Sequence, residues 1–280
     1  MEVLNNIKSV HNLIVKLKKT GKTIGFVPTM GALHQGHISL VEQSLKENDF
    51  TLVSVFINPT QFNNSEDLKK YPITTDNDIE ILKKHGADAV YFPKVEDIYP
   101  NGLTSEHYEF DGLEMQMEGK FRPGHFDGVA TVIRRFFEIV QPLNAYFGEK
   151  DFQQLRIVQE LVDNFHLPIQ IVPVAIKREE DGLAMSSRNV RLTESQRKES
   201  PIIYQILLQA KEYLKNHSIE ETKKFVEEKF KETSFELEYF EIADEKNLLP
   251  AKEKLKDQKL RAFIAVFADE VRLIDNLDLN

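Results

Sequence analysis

Two spacings of apolar residues alternate along the first two-thirds of the chain. Short runs of β-branched and aromatic residues predict strands, whereas apolar positions three or four residues apart predict helices. Strands are predicted at residues 24–27, 51–57, 89–92, 105–110, 144–147 and 169–176, and helices at residues 3–19, 38–45, 76–85, 129–140 and 155–165. The run at 169–176 is almost continuously apolar, which is typical of a strand buried on both faces. Together the pattern predicts an α/β fold, a Rossmann-like parallel sheet with helices on both faces.

The pattern changes near residue 177. A polar loop is followed by Lys- and Glu-rich helices over about residues 194–231, and then by three strand-like runs at residues 237–242, 261–267 and 271–274. Helices that precede a group of strands indicate an α+β unit with an antiparallel sheet. We therefore predict a Rossmann-like domain over residues 1–176 and a smaller C-terminal α+β domain over residues 177–280.

Composition and charge narrow the classes of protein that fit. The chain has 280 residues, 41% of them hydrophobic and 29% charged, with a formal net charge of −9. An acidic balance argues against a broad nucleic-acid-binding face. The absence of cysteine excludes disulfides, thiol catalysis and cysteine-based metal sites. We find neither a leader-like N-terminus nor a run of about 20 apolar residues, so we expect a cytoplasmic protein with no membrane partner.

The segment from Thr23 to Ser44 carries the first candidate chemistry, because a short strand leads through a glycine-containing loop into a helix. We expect Pro28 to end the hydrogen-bond ladder of this strand. His34 and His37 then flank the first helical turn, whose free N–H groups attract phosphate, and imidazoles there can donate to phosphate oxygens. Histidines at this spacing are often only surface residues. A zinc site is disfavoured because a third ligand is missing.

Four stretches of the chain resemble one known family. In chain order they read P-T-M-G-A-L-H-Q-G-H at 28–37, F-I-N-P-T-Q-F-N-N-S-E-D-L-K-K-Y-P at 56–72, G-E-K-D-F-Q-Q-L at 148–155 and D-G-L-A-M-S-S-R-N at 181–189. The first resembles the H-x-G-H signature of the nucleotidylyltransferase superfamily, and all four together resemble the pantothenate synthetase family.

This resemblance implies ATP-dependent condensation of (R)-pantoate with β-alanine to pantothenate, AMP and pyrophosphate through a pantoyl adenylate. Two alternatives remain: another adenylyl- or cytidylyltransferase of the same superfamily, and a nucleotide-binding regulatory or scaffold protein without catalysis.

The resemblance also implies roles for individual residues. His34, His37 and Lys150 would be catalytic. Pantoate would contact Gln61, Gln154 and Met30, and β-alanine would contact Gln61. The residues implied for ATP are Met30, Gly31, Ala32, Leu33, His34, Gln35, Gly36, His37, Gly148, Glu149, Lys150, Asp151, Lys177, Met185, Ser186, Ser187 and Arg188.

Further features follow from the same resemblance. ATP would act with Mg²⁺, the other partners would be small molecules, and the chain would form a homodimer. An exposed β-rich edge at 104–110 or 51–55 could serve as its interface. Because an acyl adenylate hydrolyses in water, we also predict that the polar loop at 62–71 and the second domain close over the site. The chain departs from the pattern at Ile73, where we expect Arg in many relatives; Arg122 could supply a basic group near the site instead.

Overall fold

The computed structural model describes residues 1–280, and its first part is built on a six-stranded sheet. All neighbouring strands in this sheet run parallel, in the order β1-β4-β3-β2-β5-β6. The predicted parallel sheet is therefore confirmed. Its strands are β1 (Glu2–Leu4), β2 (Ile24–Thr29), β3 (Phe50–Val55), β4 (Ala89–Tyr91), β5 (Asn144–Gly148) and β6 (Gln170–Val174).

Helices cover both faces of this sheet. The larger core packs the sheet against the first, seventh and eighth helices, and a smaller core packs the other face against the second and fourth. The predicted layers are confirmed. The helices of this part are α1 (Ile7–Lys19), α2 (Gln35–Glu47), α3 (Ser65–Lys69), α4 (Thr75–Lys84), α5 (Val95–Ile98), α6 (Met117–Phe121), α7 (His125–Val140) and α8 (Phe152–Asn164).

The two central strands β2 and β5 separate beyond their first residues. They pair only at Gly25–Asn144 and Phe26–Ala145, although β2 continues beside β3 as far as Thr29 and β5 continues beside β6. Backbone groups alternate along a strand, and the Ile24 carbonyl bonds toward β5 while the Thr29 carbonyl bonds toward β3. Pro28 therefore faces β5 without an N–H. Our expectation that Pro28 ends the ladder is right on the β5 side and wrong on the β3 side.

The C-terminal part forms an antiparallel sheet of three strands in the order β7-β8-β9, with helices packed on it. It has its own apolar core, drawn entirely from residues 203–279. The predicted α+β arrangement is confirmed, whereas a domain boundary near residue 177 stays a prediction. The elements are α9 (Glu194–Glu199), α10 (Ile202–Tyr213), α11 (Ile219–Lys231), β7 (Glu236–Asp244), β8 (Leu260–Ala268) and β9 (Val271–Asp278).

Four local predictions were wrong. Residues 2–4 form edge strand β1 rather than helix, and residues 105–110 form no strand. The apolar run that we expected to be buried on both faces is the edge strand β6, whose residues are all exposed or half-buried. Residues 51–55 lie in β3 between two other strands, so they present no free sheet edge to a partner. None of the helices is long and apolar enough to cross a bilayer.

Candidate active site

A cleft opens where β2 and β5 separate, at the carboxyl ends of the parallel strands. The sheet order reverses at this point, which is where open parallel sheets usually bind ligands. The last residues of both strands line the cleft. Most of the site residues expected from the sequence line it as well: Met30, His34, Gly36, His37, Gln61, Gly148, Lys150, Asp151, Gln154, Lys177, Met185, Ser186, Ser187 and Arg188.

Five of the expected residues do not line the cleft: Gly31, Ala32, Leu33, Gln35 and Glu149. The N–H groups of Ala32 and Leu33 donate to the carboxylate of Asp78, at 3.1 and 2.9 Å. Ala32 has a φ of +49°, a left-handed conformation that is strained for a residue with a Cβ.

Asp78 is only 1% exposed and also accepts a hydrogen bond from the Thr74 hydroxyl at 3.0 Å. Its carboxylate therefore holds the loop between β2 and α2 in shape. This role of Asp78 is not predictable from the sequence pattern, because a carboxylate in a polar helix turn looks like a solvated one.

The two histidines are fixed by the backbone at the start of α2. His34 is the N-cap, and its Nδ1 accepts a hydrogen bond from the Gly36 N–H at 3.1 Å, while His37 Nδ1 accepts from the His34 N–H at 3.3 Å. An Nδ1 that accepts from an N–H carries no proton, so a neutral ring carries its proton on Nε2. A Cβ on Gly36 would lie 2.8 Å from the His34 ring, so this contact requires glycine. Each ring can thus offer one Nε2–H donor to a ligand.

Both imidazoles are neutral at physiological pH. Burial, assisted by the positive charge of Lys150, lowers the pKa of His34 to about 4, against an opposing effect of Asp151. Burial also lowers the pKa of His37 well below 6.5, and His34 and Lys150 lower it further. The rings lie 4.0 Å apart between centroids. Together they form a pair of uncharged donors beside a cationic side chain.

Lys150 lies in a short 3₁₀ turn, Glu149–Asp151, that joins β5 to α8. Its ammonium is 4.0 Å from an Asp151 carboxylate oxygen, too far for a hydrogen bond, and its side chain is 19% exposed. Asp151 is the one acidic residue among those that line the cleft. The turn therefore brings a loosely paired cation to the same end of the cleft as the two imidazoles.

Amide side chains occupy another part of the cleft. Gln61 is 9% exposed; its Nε2 lies 2.8 Å from the Met30 sulfur, and its Oε1 accepts from Asn58 at 3.2 Å. Gln154, by contrast, makes no side-chain hydrogen bond within the protein, so both ends of its amide are free. Amides both donate and accept, which suits a ligand that carries hydroxyl and carboxylate groups.

An apolar wall completes the cleft. It consists of Val129, Val132, Ile133 and Phe136, all on α7 and all at most 5% exposed. The sequence pattern predicted a strongly apolar helix here but no role for these side chains in the cleft. Apolar residues occupy more than one face of α7, which is the signal that could have indicated a second contact besides the sheet.

The Ser186–Arg188 segment closes the cleft on one side. Ser187 Oγ donates to the Ala32 carbonyl at 3.0 Å, which joins this segment to the loop after β2. Arg188 pairs with Asp67 at 2.8 Å, and Arg191 pairs with the same carboxylate at 2.5 Å. Because Asp67 lies in α3, these bonds bring the predicted lid loop onto the 187–191 turn.

Two positions that the sequence singled out lie outside the cleft. Ile73 is 77% exposed. Arg122 donates to the Gln61 carbonyl at 3.1 Å and to Glu118 at 3.2 Å, and His125 contacts the same Gln61 carbonyl at 2.9 Å. Arg122 and His125 therefore support the backbone that carries Gln61 and do not face the cleft.

The geometry defines a class of protein. A cleft at the switch point of a parallel sheet, a tight loop that presents two neutral imidazole donors, and a lysine after the neighbouring strand are features of a nucleotide-binding α/β enzyme. The amides and the apolar wall provide space for a second, partly apolar substrate.

Comparison with known proteins identifies the family. The family model of pantoate–β-alanine ligase matches residues 2–278, and the chain belongs to this family. The pantothenate synthetase of Flavobacterium psychrophilum is 56% identical over 260 residues, 92% of each chain, and that of Christiangramia forsetii is 48% identical over the whole of both.

Solved structures agree with this assignment. The Thermus thermophilus pantothenate synthetase superposes with a TM-score of 0.92 at 40% identity, over 100% of this chain and 99% of that one. The Francisella tularensis pantoate–β-alanine ligase, complexed with beta-gamma ATP and β-alanine, superposes with a TM-score of 0.82 at 37% identity, over 100% and 98%. The family, the fold and the ligase activity predicted from the sequence are confirmed.

Proposed function

We propose that this cleft joins (R)-pantoate to β-alanine in two steps at the expense of ATP. The pantoate carboxylate attacks the α-phosphorus of ATP and expels pyrophosphate, which leaves pantoyl adenylate. The amine of β-alanine, as its free base, then attacks the acyl carbon, the bond from that carbon to the AMP phosphate oxygen breaks, and the nitrogen releases one proton as the amide forms. The observation that carries this proposal is the convergence of two neutral imidazole donors and the Lys150 ammonium on a cleft that also holds free amides and an apolar wall.

The first step concentrates negative charge on the α-phosphoryl group. Nε2–H donors of His34 and His37 and the ammonium of Lys150 would stabilise that charge without a proton transfer. The N-terminus of α2 adds the partial positive charge of its helix dipole. The imidazoles need no protonation, so these donors would remain available throughout the neutral pH range.

Pantoate would lie between the amides and α7. Its hydroxyl and carboxylate groups would bond to Gln154 and Gln61, and its two methyl groups would pack against Val129, Val132 and Ile133. Burying those methyl groups would favour binding by about 0.8 kcal/mol for each buried carbon. β-Alanine would enter beside Gln61, close to the adenylate carbonyl.

Magnesium would arrive with the nucleotide. The structure contains no group of three or more acidic or histidine side chains that could hold a metal by themselves. Mg²⁺ is usually held by substrate phosphates together with one or two carboxylates, and Asp151 is the carboxylate that lines the cleft. The bound ion would neutralise phosphate charge.

Water must be kept from the acyl adenylate, which would otherwise hydrolyse. We propose that the loop at 62–71 and the C-terminal domain that begins near residue 177 close the cleft. The Asp67–Arg188 pair supports this idea, because it joins the loop to the segment that borders the cleft. Homodimer formation and a cytoplasmic location stay predictions.

Two assays test the reaction. AMP release from Mg-ATP should require both pantoate and β-alanine, and pyrophosphate–ATP exchange should require pantoate alone. Exchange that depends on β-alanine would contradict the adenylate intermediate. Pyrophosphate release with a phosphate-ester acceptor, but no AMP with either acid, would favour the nucleotidyltransferase alternative.

A further inference from the structure

The C-terminal sheet contributes no side chain to the cleft, whose lining residues end at Arg188. Two consecutive residues of its strand β9 nevertheless contact the loops that border the cleft. Asp275 and Asn276 are 4% and 2% exposed, unusually buried for polar residues of an edge strand. Both contact loops that carry proposed ATP-binding residues.

Asn276 holds the turn that carries Lys150. Its Nδ2 group donates one hydrogen bond to the Glu149 carbonyl at 2.8 Å and another to the Lys150 carbonyl at 2.9 Å. Its Oδ1 accepts from Arg261 Nη1 at 2.7 Å. Both amide N–H groups and the amide oxygen are therefore hydrogen-bonded, and two of these three bonds go to the backbone of the 149–151 turn.

The orientation of this amide is fixed by its neighbours. Arg261 has only donors, so the oxygen of Asn276 must face it and the nitrogen must face the two carbonyls. Arg261 is itself paired with Glu245 at 2.8 Å and lies over the Phe152 ring at 4.1 Å. Asn276 thus joins a rigid part of the C-terminal sheet to the turn.

Lys150 needs such support because its side chain has none. Its ammonium is 4.0 Å from the nearest carboxylate, so no close side-chain bond fixes where the charge lies. The position of the Lys150 backbone then determines the region that the ammonium can reach. We infer that Asn276 is a positioning residue for catalysis, which holds the 149–151 turn so that Lys150 faces the α-phosphoryl group.

The adjacent residue anchors the second loop in the same way. Asp275 forms a bidentate pair with Arg178, at 2.6 and 3.0 Å, and Arg178 also stacks on the Tyr204 ring at 3.7 Å. Arg178 directly follows Lys177 and lies in the loop that leads to Ser186. Two adjacent residues of β9 therefore hold both loops. They fix the position of the Lys150 turn relative to the segment at 186–188.

A double-mutant cycle tests the inference, which rests on the proposed role of Lys150. Pyrophosphate–ATP exchange with pantoate is measured for the parent, Asn276→Ala, Lys150→Ala and the double variant. A displacement of about 1 Å can cost about 10²-fold in rate, so we expect Asn276→Ala to lower kcat for exchange by roughly 10- to 100-fold, with KM values changed much less. In the Lys150→Ala background the same change should lower exchange by less than about threefold.

The outcomes separate this inference from the proposed function. Equal losses from Asn276→Ala in both backgrounds would overturn the inference alone, because residue 276 would then act independently of Lys150. A native exchange rate for Lys150→Ala would refute the proposed role of Lys150, and the inference with it. A native rate for folded Asn276→Ala would overturn the inference and leave the reaction unaffected.

Two further variants control for general damage. Asn280→Ala removes an amide that donates to the Leu260 carbonyl at 3.2 Å and hydrogen-bonds to neither loop; exchange should stay within about twofold of the parent. Asn276→Ser keeps one donor and should lose less activity than Asn276→Ala. It replaces Asn276→Ala in the cycle if thermal melting shows that the alanine variant does not fold.

Discussion

The two sheets of this molecule contribute to the site in different ways. The parallel sheet ends in the loops whose side chains line the cleft, from Pro28 to Arg188, whereas the antiparallel sheet lines none of the cleft and contacts two of those loops through Asp275 and Asn276. The first sheet supplies the chemical groups, and the second holds the backbone that carries some of them. Substitutions in the first sheet's loops should therefore remove chemical groups from the site, whereas substitutions in β9 should displace groups that remain.

The largest effect should come from Lys150→Ala. It removes the cation that faces the proposed site of phosphoryl charge, and the loss of one such contact typically costs about 10²- to 10³-fold in kcat. Pyrophosphate exchange measures this step directly. Exposed Lys84→Ala is the matched control. An exchange rate within a few-fold of the parent would mean that the first sheet's loops do not supply the charge that we assign to them.

Asp78→Ala should have the next largest effect, within the first sheet itself. It leaves the N–H groups of Ala32 and Leu33 without their acceptor and releases a strained loop. An unsatisfied buried group costs about 1–3 kcal/mol, so the free energy of unfolding should fall by at least that amount, and exchange should fall by about tenfold. Urea unfolding and exchange measure the two effects. Asp76→Ala, exposed on the same helix, should change neither; equal effects at both positions would remove Asp78 from this role.

A smaller effect is expected for Asp275→Asn in β9. The substitution keeps the shape but removes the charge that holds Arg178, so the loop from residue 177 to 188 should loosen. We expect KM for ATP to rise by about three- to tenfold, with kcat changed less, because a loosened loop weakens binding more than chemistry. Steady-state kinetics give both constants, and exposed Asp278→Asn is the control. A lower kcat at unchanged KM would show that β9 acts on the chemical step through this loop as well.

The last prediction concerns stability rather than activity, and it is a dependence of the free energy of unfolding on pH. The pKa of His34 is about 4 in the folded protein and near 6.5 in the unfolded chain. The unfolded chain therefore binds more protons between these values, and the free energy of unfolding decreases as pH falls from about 6.5 to about 4. His34→Gln should make this decrease shallower in urea titrations at pH 7 and pH 5. An identical slope for parent and variant would indicate that His34 is not buried as a neutral ring.

Local patterns in the sequence predicted the parallel sheet and the loop with His34 and His37, because both depend on residues close together in the chain. Edge strand β6 was misjudged because an apolar run looks alike whether one or both of its faces are covered. Strand β1 has only three residues, too few to show the alternation of apolar and polar positions that indicates a strand. Such features depend on which strands become neighbours, and local spacing does not contain that information.

The supporting residues could not be found in the same way. Asn276 bonds to a carbonyl 126 residues earlier in the chain, and Asp78 bonds to N–H groups 45 and 46 residues away. These partners are backbone atoms, which nearly every residue has, so the sequence does not show which of them will be bonded. The expected residues that line the cleft form recognisable strings, and the residues that hold those strings in place do not.

Pro28 has one more consequence, which concerns how the cleft came to be open at all. Two parallel strands with free N–H and C=O groups can pair along their whole length, but β2 and β5 pair at only two positions. Pro28 lacks the N–H hydrogen that the next hydrogen bond to β5 would require, and the strands diverge around the space that the substrates need. The opening of the cleft coincides with one missing hydrogen atom.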